Sequence, residues 1–129
     1  MPRAQDCRYT KDHEWVHLEG DEAVVGITDF AQKELGDIVY ADLGETGRSV
    51  AAGDEIGTIE SVKAVAEIYA PVAGDVLVVN EGLADAPELL NSDPLGEGWL
   101  MRLRVANVAE VESLMNLSDY QAYLEEEGQ

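Results

Sequence analysis

The chain has 129 residues, 46% of them hydrophobic, and its 27 acidic and 8 basic residues give a formal net charge of −19 at pH 7. This length predicts a single domain over 1–129, with a core at about 9–105 and a C-terminal helical segment at about 108–127. Such an acidic surface repels phosphate backbones, so we expect no nucleic-acid partner. No apolar run approaches the roughly 20 residues of a membrane span, and the N-terminal residues resemble neither a signal nor a transit peptide. We therefore expect a cytoplasmic protein without a membrane partner.

Hydropathy patterning and turn formers predict a mainly β fold with short helices. Thr28 or Asp29 is suited to cap the first helix, Gly36 to end it, and Ser118 to cap the last one. Pro87 can lie in the first turn of the helix between them if that helix begins late. In chain order, the predicted elements are strands at 15–18 and 23–27, a helix at 30–35, strands at 37–43, 56–60 and 65–69, a helix at 83–90, a loop at 91–98, a strand at 99–105 and a helix at 119–127.

A weak internal repeat surrounds Lys63, one of three lysines in the chain. Two Gly-Asp pairs, at 53–54 and 74–75, lie 21 residues apart, and Lys63 is near their midpoint. The repeat suggests two similar strand sets about a pseudo-twofold axis, with a turn glycine in each. Residues 61–64 join the strands that flank Lys63, and they predict a four-residue turn because they include neither Gly nor Asn. Lys63 should therefore be exposed at a hairpin tip, where a modifying enzyme can reach it.

Other chemistries have less support in the sequence. The single cysteine, Cys7, cannot form an internal disulfide. His13 and His17 have the spacing of a helical metal pair, but they lie in a segment that predicts a strand. No phosphate-binding glycine loop and no nucleophile with its base is evident. A small enzyme using Cys7 and His13, or a metal protein using the histidines, is the weaker alternative, and we expect neither a catalytic residue nor a metal site.

Four segments, in order, resemble motifs of the glycine cleavage H-protein family and together extend over most of 9–105. The stretch at 59–74, IESVKAVAEIYAPVAG, closely resembles the lipoylation segment of that family. The stretches at 9–15, 26–37 and 89–99 resemble its His-Glu-Trp motif, its helix region, and its late loop with the final strand. The resemblance implies the barrel-sandwich hybrid fold of lipoyl and biotinyl carriers, with short flanking helices, a C-terminal helix and no enzymatic activity.

The same resemblance implies that Lys63 carries lipoic acid in amide linkage, within an attachment segment formed by Glu60, Ser61, Val62 and Ala64. The arm would take an aminomethyl group from glycine decarboxylase (P protein) to the aminomethyltransferase (T protein). Dihydrolipoyl dehydrogenase (L protein) would reoxidise it, and a lipoyl ligase or transferase would install it. A monomer suits such a carrier. The alternatives within the carrier class are an H-like protein that mainly donates lipoyl groups in a lipoate relay, and a lipoyl or biotinyl domain of a larger complex.

A loaded arm of this kind carries a positive ammonium group and is open to attack by water. A cleft that held it beside carboxylates would balance the charge and exclude solvent. Glu14 and Glu67 are the candidate carboxylates, and His13 is a weaker candidate. The acidic surface also favours transient docking to basic faces of partner enzymes.

Overall fold

The computed structural model describes residues 3–127, which form nine strands and five short α-helices after a 3-10 turn at Ala4–Asp6. The strands are β1 (Arg8–Tyr9), β2 (Glu14–Glu19), β3 (Glu22–Ile27), β4 (Ile38–Asp42), β5 (Ser49–Val50), β6 (Glu55–Ser61), β7 (Val65–Tyr69), β8 (Gly74–Val79) and β9 (Met101–Val105). The helices are α1 (Asp29–Leu35), α2 (Gly82–Asp85), α3 (Leu89–Ser92), α4 (Val108–Glu112) and α5 (Leu117–Glu126). No helix within 3–127 has the length and hydropathy required to span a bilayer.

Two antiparallel sheets enclose the main core. One has the strand order β1-β2-β3-β9-β8-β5 and the other the order β4-β6-β7. Apolar side chains from both sheets pack in one cluster, among them Val25, Ile59, Ile68, Val76 and Leu103. β-branched residues suit these positions because they pack well on a pleated surface. The prediction of a mainly β fold with short helices and a C-terminal helix is confirmed.

A second, aromatic cluster holds α5 against β1 and β2. The rings of Tyr9 and Tyr120 stack with centroids 4.7 Å apart, and Trp15 and Cys7 complete the buried set. The indole N–H of Trp15 donates to the carbonyl of Pro94 (3.0 Å). The C-terminal helix is therefore packed on the body of the protein.

The predicted helix at 83–90 is wrong, because two single-turn helices, α2 and α3, occupy this region. The break falls at Ala86, which has φ −136° and ψ 64°. Pro87 follows it, and a proline disfavours the helical conformation of the residue before it. α3 extends to Ser92, so the first two residues of the predicted loop are helical instead.

The predicted cap of the last helix is also wrong. Asn116, not Ser118, is the N-cap of α5, and its side chain accepts the backbone N–H of Asp119 (2.8 Å). At α1 the choice between two caps is decided in favour of Thr28, whose hydroxyl accepts the N–H of Ala31 (3.2 Å). Asparagine and serine satisfy a helix N-terminus about equally well, so composition alone does not identify which of them begins the helix.

Two smaller expectations also need correction. The last strand begins at Met101, two residues later than predicted. Gly53 is a turn residue with φ +90°, as predicted, but Gly74 lies within β8. A Cβ atom at Gly74 would collide with the carbonyl oxygen of Arg104 on β9. Gly74 is therefore required for the close approach of two strands and not for a turn.

Candidate functional site

Lys63 lies at the tip of the β6–β7 hairpin, where the flanking strands predict it. The backbone N–H of Ser61 donates to the carbonyl of Ala64 (2.8 Å) and closes the turn. Neither Val62 nor Lys63 has a positive φ, so the turn lacks the conformation of primed hairpin turns. Instead, the Ser61 hydroxyl accepts the N–H groups of Lys63 (3.3 Å) and Ala64 (3.0 Å). The Ser61 side chain thus stabilises this turn by accepting its N–H groups, whereas a glycine-containing turn relies on its backbone geometry.

The Lys63 side chain rests on the segment between α1 and β4, residues 36–38, which we term the shelf. A Cβ atom at Gly36, which has φ +77°, would lie 3.2 Å from Cε of Lys63, so glycine leaves room for the lysine stem. The carbonyl of Asp37 accepts the backbone N–H of Val62 (3.0 Å). The hairpin tip is therefore fixed to the shelf while Lys63 remains exposed. A rigid base under an exposed amine suits a lysine that another protein must reach.

A groove of about 380 Å³, which we term the acidic groove, is lined in part by β7. Glu67 on this strand follows Lys63 by four residues, or about 13 Å along an extended chain. The lining residues are Asp12, His13, Ile27, Phe30, Ala31, Glu34, Leu35, Ala66, Glu67, Ile68 and Glu127. This set contains four carboxylates and neither Lys nor Arg, so the groove favours a cationic guest over an anionic one.

At the acidic groove, His13 connects the turn between β1 and β2 with α5 and with the start of α1. It has φ +68°, the only positive φ of a non-glycine residue among residues 3–127. Its Nδ1 lies 2.8 Å from the hydroxyl of Tyr120, which in turn lies 2.9 Å from the hydroxyl of Thr28. Burial lowers the pKa of His13, so the imidazole is mainly neutral at neutral pH. The His13 side chain therefore ties α5 to the start of α1 and, as a mainly neutral ring, adds little positive charge to the groove.

Glu14 lines an adjoining cavity of about 340 Å³, which shares Asp12 with the acidic groove. Its side chain is 1% exposed. One carboxylate oxygen accepts the hydroxyl of Thr10 (3.2 Å) and the other accepts the backbone N–H of Tyr69 (3.0 Å). Burial raises the pKa of Glu14 to about 7, against the opposing effect of the Tyr69 hydrogen bond.

Of the three predicted cleft residues, the structure brings His13 and Glu67 together in one groove and places Glu14 beside it. Sequence reasoning missed Asp12, Glu34 and Glu127, which also line the groove. Single acids carry little signal in a chain with 27 of them. For Glu34, the helical spacing from Phe30 could have indicated a shared face, because residues four apart are neighbours on a helix.

The alternative chemistries gain no geometric support. Burial raises the pKa of the Cys7 thiol to about 12, which disfavours the thiolate that a nucleophile needs. Its sulfur donates to the carbonyl of Arg3 (3.6 Å). In the described part of the chain, no group of three or more His, Cys, Asp or Glu side chains is placed to hold a metal ion.

Comparison with known proteins decides the family. The family model described as "Glycine cleavage H-protein" matches residues 7–127. The chain belongs to the glycine cleavage H-protein family. The glycine cleavage system H protein of Rubrobacter xylanophilus is 54% identical, over 95% of this chain and 95% of its own length. Those of Carboxydothermus hydrogenoformans and Listeria monocytogenes are 46% and 50% identical, each over 97% of this chain and over 96% and 100% of their own lengths.

A solved structure supports the same assignment. The crystal structure of a glycine cleavage system H protein from Mycobacterium marinum matches with a TM-score of 0.84 and 36% identity, over 95% of this chain and 98% of that one. The resemblance found in the four sequence segments is therefore confirmed. The role of the family is that of the lipoyl carrier of the glycine cleavage system, and it is the role of this chain.

Proposed function

We propose that Lys63 carries the lipoyl group, as an amide, and that the whole chain acts as one non-catalytic carrier domain. The observation that supports this most strongly is the exposed Lys63 at a hairpin tip fixed to the shelf. The other lysines are engaged elsewhere: Lys33 pairs with Asp29 (3.0 Å), and the ammonium of Lys11 lies 5.8 Å from the centre of the Tyr123 ring. Lys63 forms no ion pair with any residue in 3–127, so its amine is available for acylation.

The residues around Lys63 fit a lipoyl arm. Glu60, Ser61, Val62 and Ala64 form the exposed or half-exposed turn on which it would be attached. Acylation removes the ammonium charge of Lys63, so the aliphatic stem can lie along apolar surface without loss of hydration. When bound, a lipoyl group supplies a dithiolane that accepts an aminomethyl group and is afterwards reoxidised.

The acidic groove is the proposed resting place of the loaded arm. Glu67 and Asp12 would face its ammonium group, and the apolar side chains of Phe30 and Leu35 would exclude water. Glu14 lies in the adjoining cavity, where its carboxyl is close to half ionised at neutral pH. A cation nearby would favour the ionised form of Glu14, whose negative charge would then add to that of the groove.

The surface around the hairpin tip suits transient partners whose docking face combines apolar and basic side chains. Tyr40, Val62 and Val65 are exposed there by 49%, 70% and 67%. The register places Glu60 between Tyr40 and Val65, so one carboxylate lies within the apolar patch. The proposed partners are the P, T and L proteins and the lipoyl ligase or transferase, visited by a monomeric cytoplasmic carrier. Such docking weakens as salt rises, because exposed charges are screened.

The attachment site is tested by intact mass and peptide mapping after incubation with a lipoate ligase, lipoate and ATP. We expect one lipoyl group on Lys63 and none on the Lys63→Arg variant, since the guanidinium group retains the charge but does not form the amide. Lys33→Arg is the matched control and should still be modified. A lipoyl group on Lys11 or Lys33, or an unmodified wild-type chain, would contradict the proposal.

The acidic groove is tested through the lifetime of the aminomethyl-loaded form in buffer. Glu67→Gln should shorten this lifetime about two- to fivefold, because an exposed ion pair contributes up to about 1 kcal/mol. The Tyr69 hydroxyl donates to Glu67 (2.6 Å), so Tyr69→Phe serves as a control that removes this hydrogen bond and keeps the charge. Equal lifetimes for Glu67→Gln and the wild type would exclude the protective role of Glu67.

A further inference from the structure

Asn91 on α3 joins both ends of the shelf. Its Oδ1 accepts the backbone N–H of Ile38 (2.9 Å), and its Nδ2 donates to the carbonyl of Gly36 (2.8 Å). Nδ2 also donates to Oε1 of Gln32 on α1 (3.0 Å). One amide group, 53 residues away in sequence from Ile38, therefore fixes the end of α1 to the start of β4.

The shelf in turn supports the hairpin tip. The carbonyl between the two clamped residues, that of Asp37, accepts the N–H of Val62, and the Lys63 stem rests on Gly36. A continuous set of contacts thus runs from the Asn91 side chain through the shelf to the exposed lysine. Hydrogen bonds of 2.8–3.0 Å join Asn91 to the shelf and the shelf to Val62, so a shift of the shelf displaces the tip with it.

We propose that Asn91 is a positioning residue for the modification of Lys63: it orients the hairpin tip for the acylating enzyme without touching the lysine. This inference rests on the proposed function, because it assumes that Lys63 is the lysine that is acylated. The enzyme must bring one ε-amine to its acyl donor within a narrow range of distances, and loss of that alignment is costly for the rate.

The chain offers a matched control in Asn80. Its Nδ2 donates to the carbonyls of Glu97 (2.9 Å) and Trp99 (2.8 Å), and its Oδ1 accepts the N–H of Gly82 (3.2 Å). Asn80 therefore makes as many hydrogen bonds as Asn91, two donated and one accepted, but it joins the end of β8 to the segment before β9. Loss of either side chain should cost similar stability, and only loss of Asn91 should affect Lys63.

The test compares Asn91→Ala with Asn80→Ala in lipoate-ligase kinetics at varied carrier concentration. We expect kcat/KM for Asn91→Ala to fall about tenfold or more, and kcat/KM for Asn80→Ala to stay within about twofold of the wild type. In parallel, NMR amide exchange should show the Val62 N–H exchanging at least about tenfold faster in Asn91→Ala only. Equal losses in the two variants would overturn the proposal, as would unchanged kinetics with an unchanged Val62 amide.

A second variant keeps the test decisive if Asn91→Ala does not fold. Val62→Pro removes the N–H that binds the shelf, and proline is accepted at the second position of many turns. Asn91→Asp keeps the acceptor that binds the N–H of Ile38 but loses the donor that binds the carbonyl of Gly36. The effects of Val62→Pro and Asn91→Asp on kcat/KM should be non-additive, because both act through the shelf. Additive effects would overturn the proposal. If the wild type itself is not modified, the assignment of Lys63 fails instead, and Val62 exchange alone decides whether Asn91 orients the tip.

Discussion

The two principal hairpins of the molecule close their turns by different means. In β2–β3, Gly20 has φ +68° at the first central position, between the paired residues Glu19 and Glu22. In β6–β7 no turn residue has a positive φ, and the Ser61 hydroxyl satisfies the turn N–H groups instead. Both turns also have a tertiary contact: the carbonyl of Asp21 in the first accepts the N–H of Val105 (2.8 Å), and the N–H of Val62 in the second donates to the shelf.

The two turns differ because their tips present different side chains. A glycine adopts the positive φ of a tight turn without steric cost, but it contributes no side chain there. The β6–β7 tip carries Lys63, flanked by Val62 and Ala64, so side-chain and tertiary contacts replace the glycine. The cost is dependence on a distant residue, Asn91, for the geometry of the exposed lysine. Changes at the two hairpins should therefore affect the free energy of unfolding to different extents.

The largest effect on the free energy of unfolding comes from Glu14, which joins the open ends of the two hairpins. It begins β2 and accepts the N–H of Tyr69, the last residue of β7. Its pKa is raised from 4.5 to about 7, with burial as the largest cause. Below about pH 4.5 the carboxyl is protonated in both the folded and unfolded states. As the pH rises from there to about 7, only the unfolded state loses the proton, so the free energy of unfolding falls by about 3 kcal/mol.

Urea unfolding of the wild type and of Glu14→Gln over pH 4–8 measures this effect. The variant cannot ionise, so its stability relative to the wild type should rise by about 3 kcal/mol across that range and level off above about pH 7. The difference between the two chains removes the pH dependence that arises from the other acids. A difference that does not change with pH would show that Glu14 titrates normally and that its burial carries no electrostatic cost.

A smaller effect is expected at the tip of β2–β3. Gly20→Ala places a side chain at positive φ, which costs about 1–2 kcal/mol, and a Cβ atom there would meet nothing within 4 Å, so no steric cost adds to it. Lipoylation of Lys63 should be unchanged. Gly20→Asn, which tolerates this conformation better, should recover part of the loss in thermal unfolding. A change in the lipoylation rate of Gly20→Ala would show that the two tips are coupled.

The sequence predicted the part of the site that depends on local pattern. Lys63 at a hairpin tip follows from strand alternation, and Gly36 at the end of α1 follows from helix-ending rules. The shelf was not predicted, because the contact between Asn91 and Ile38 spans 53 residues and leaves no periodic signal. Glu14 was assigned to the same cleft as Glu67, but strand positions alone do not reveal which of two adjoining cavities a side chain enters.

The smallest effect on stability is expected at the tip of β6–β7, and it separates stability from presentation of the lysine. Ser61→Ala leaves two N–H groups without their side-chain acceptor, but both are exposed and can bind water, so the loss should be about 1 kcal/mol or less. The rate of lipoylation should still fall severalfold, because Lys63 loses the hydrogen bond that orients its own backbone N–H. Ser61→Thr retains the hydroxyl and should behave like the wild type in both measurements. If Ser61→Ala were lipoylated at the wild-type rate, the shelf alone would be sufficient to orient the tip, and the Ser61 hydroxyl would contribute only to closure of the turn.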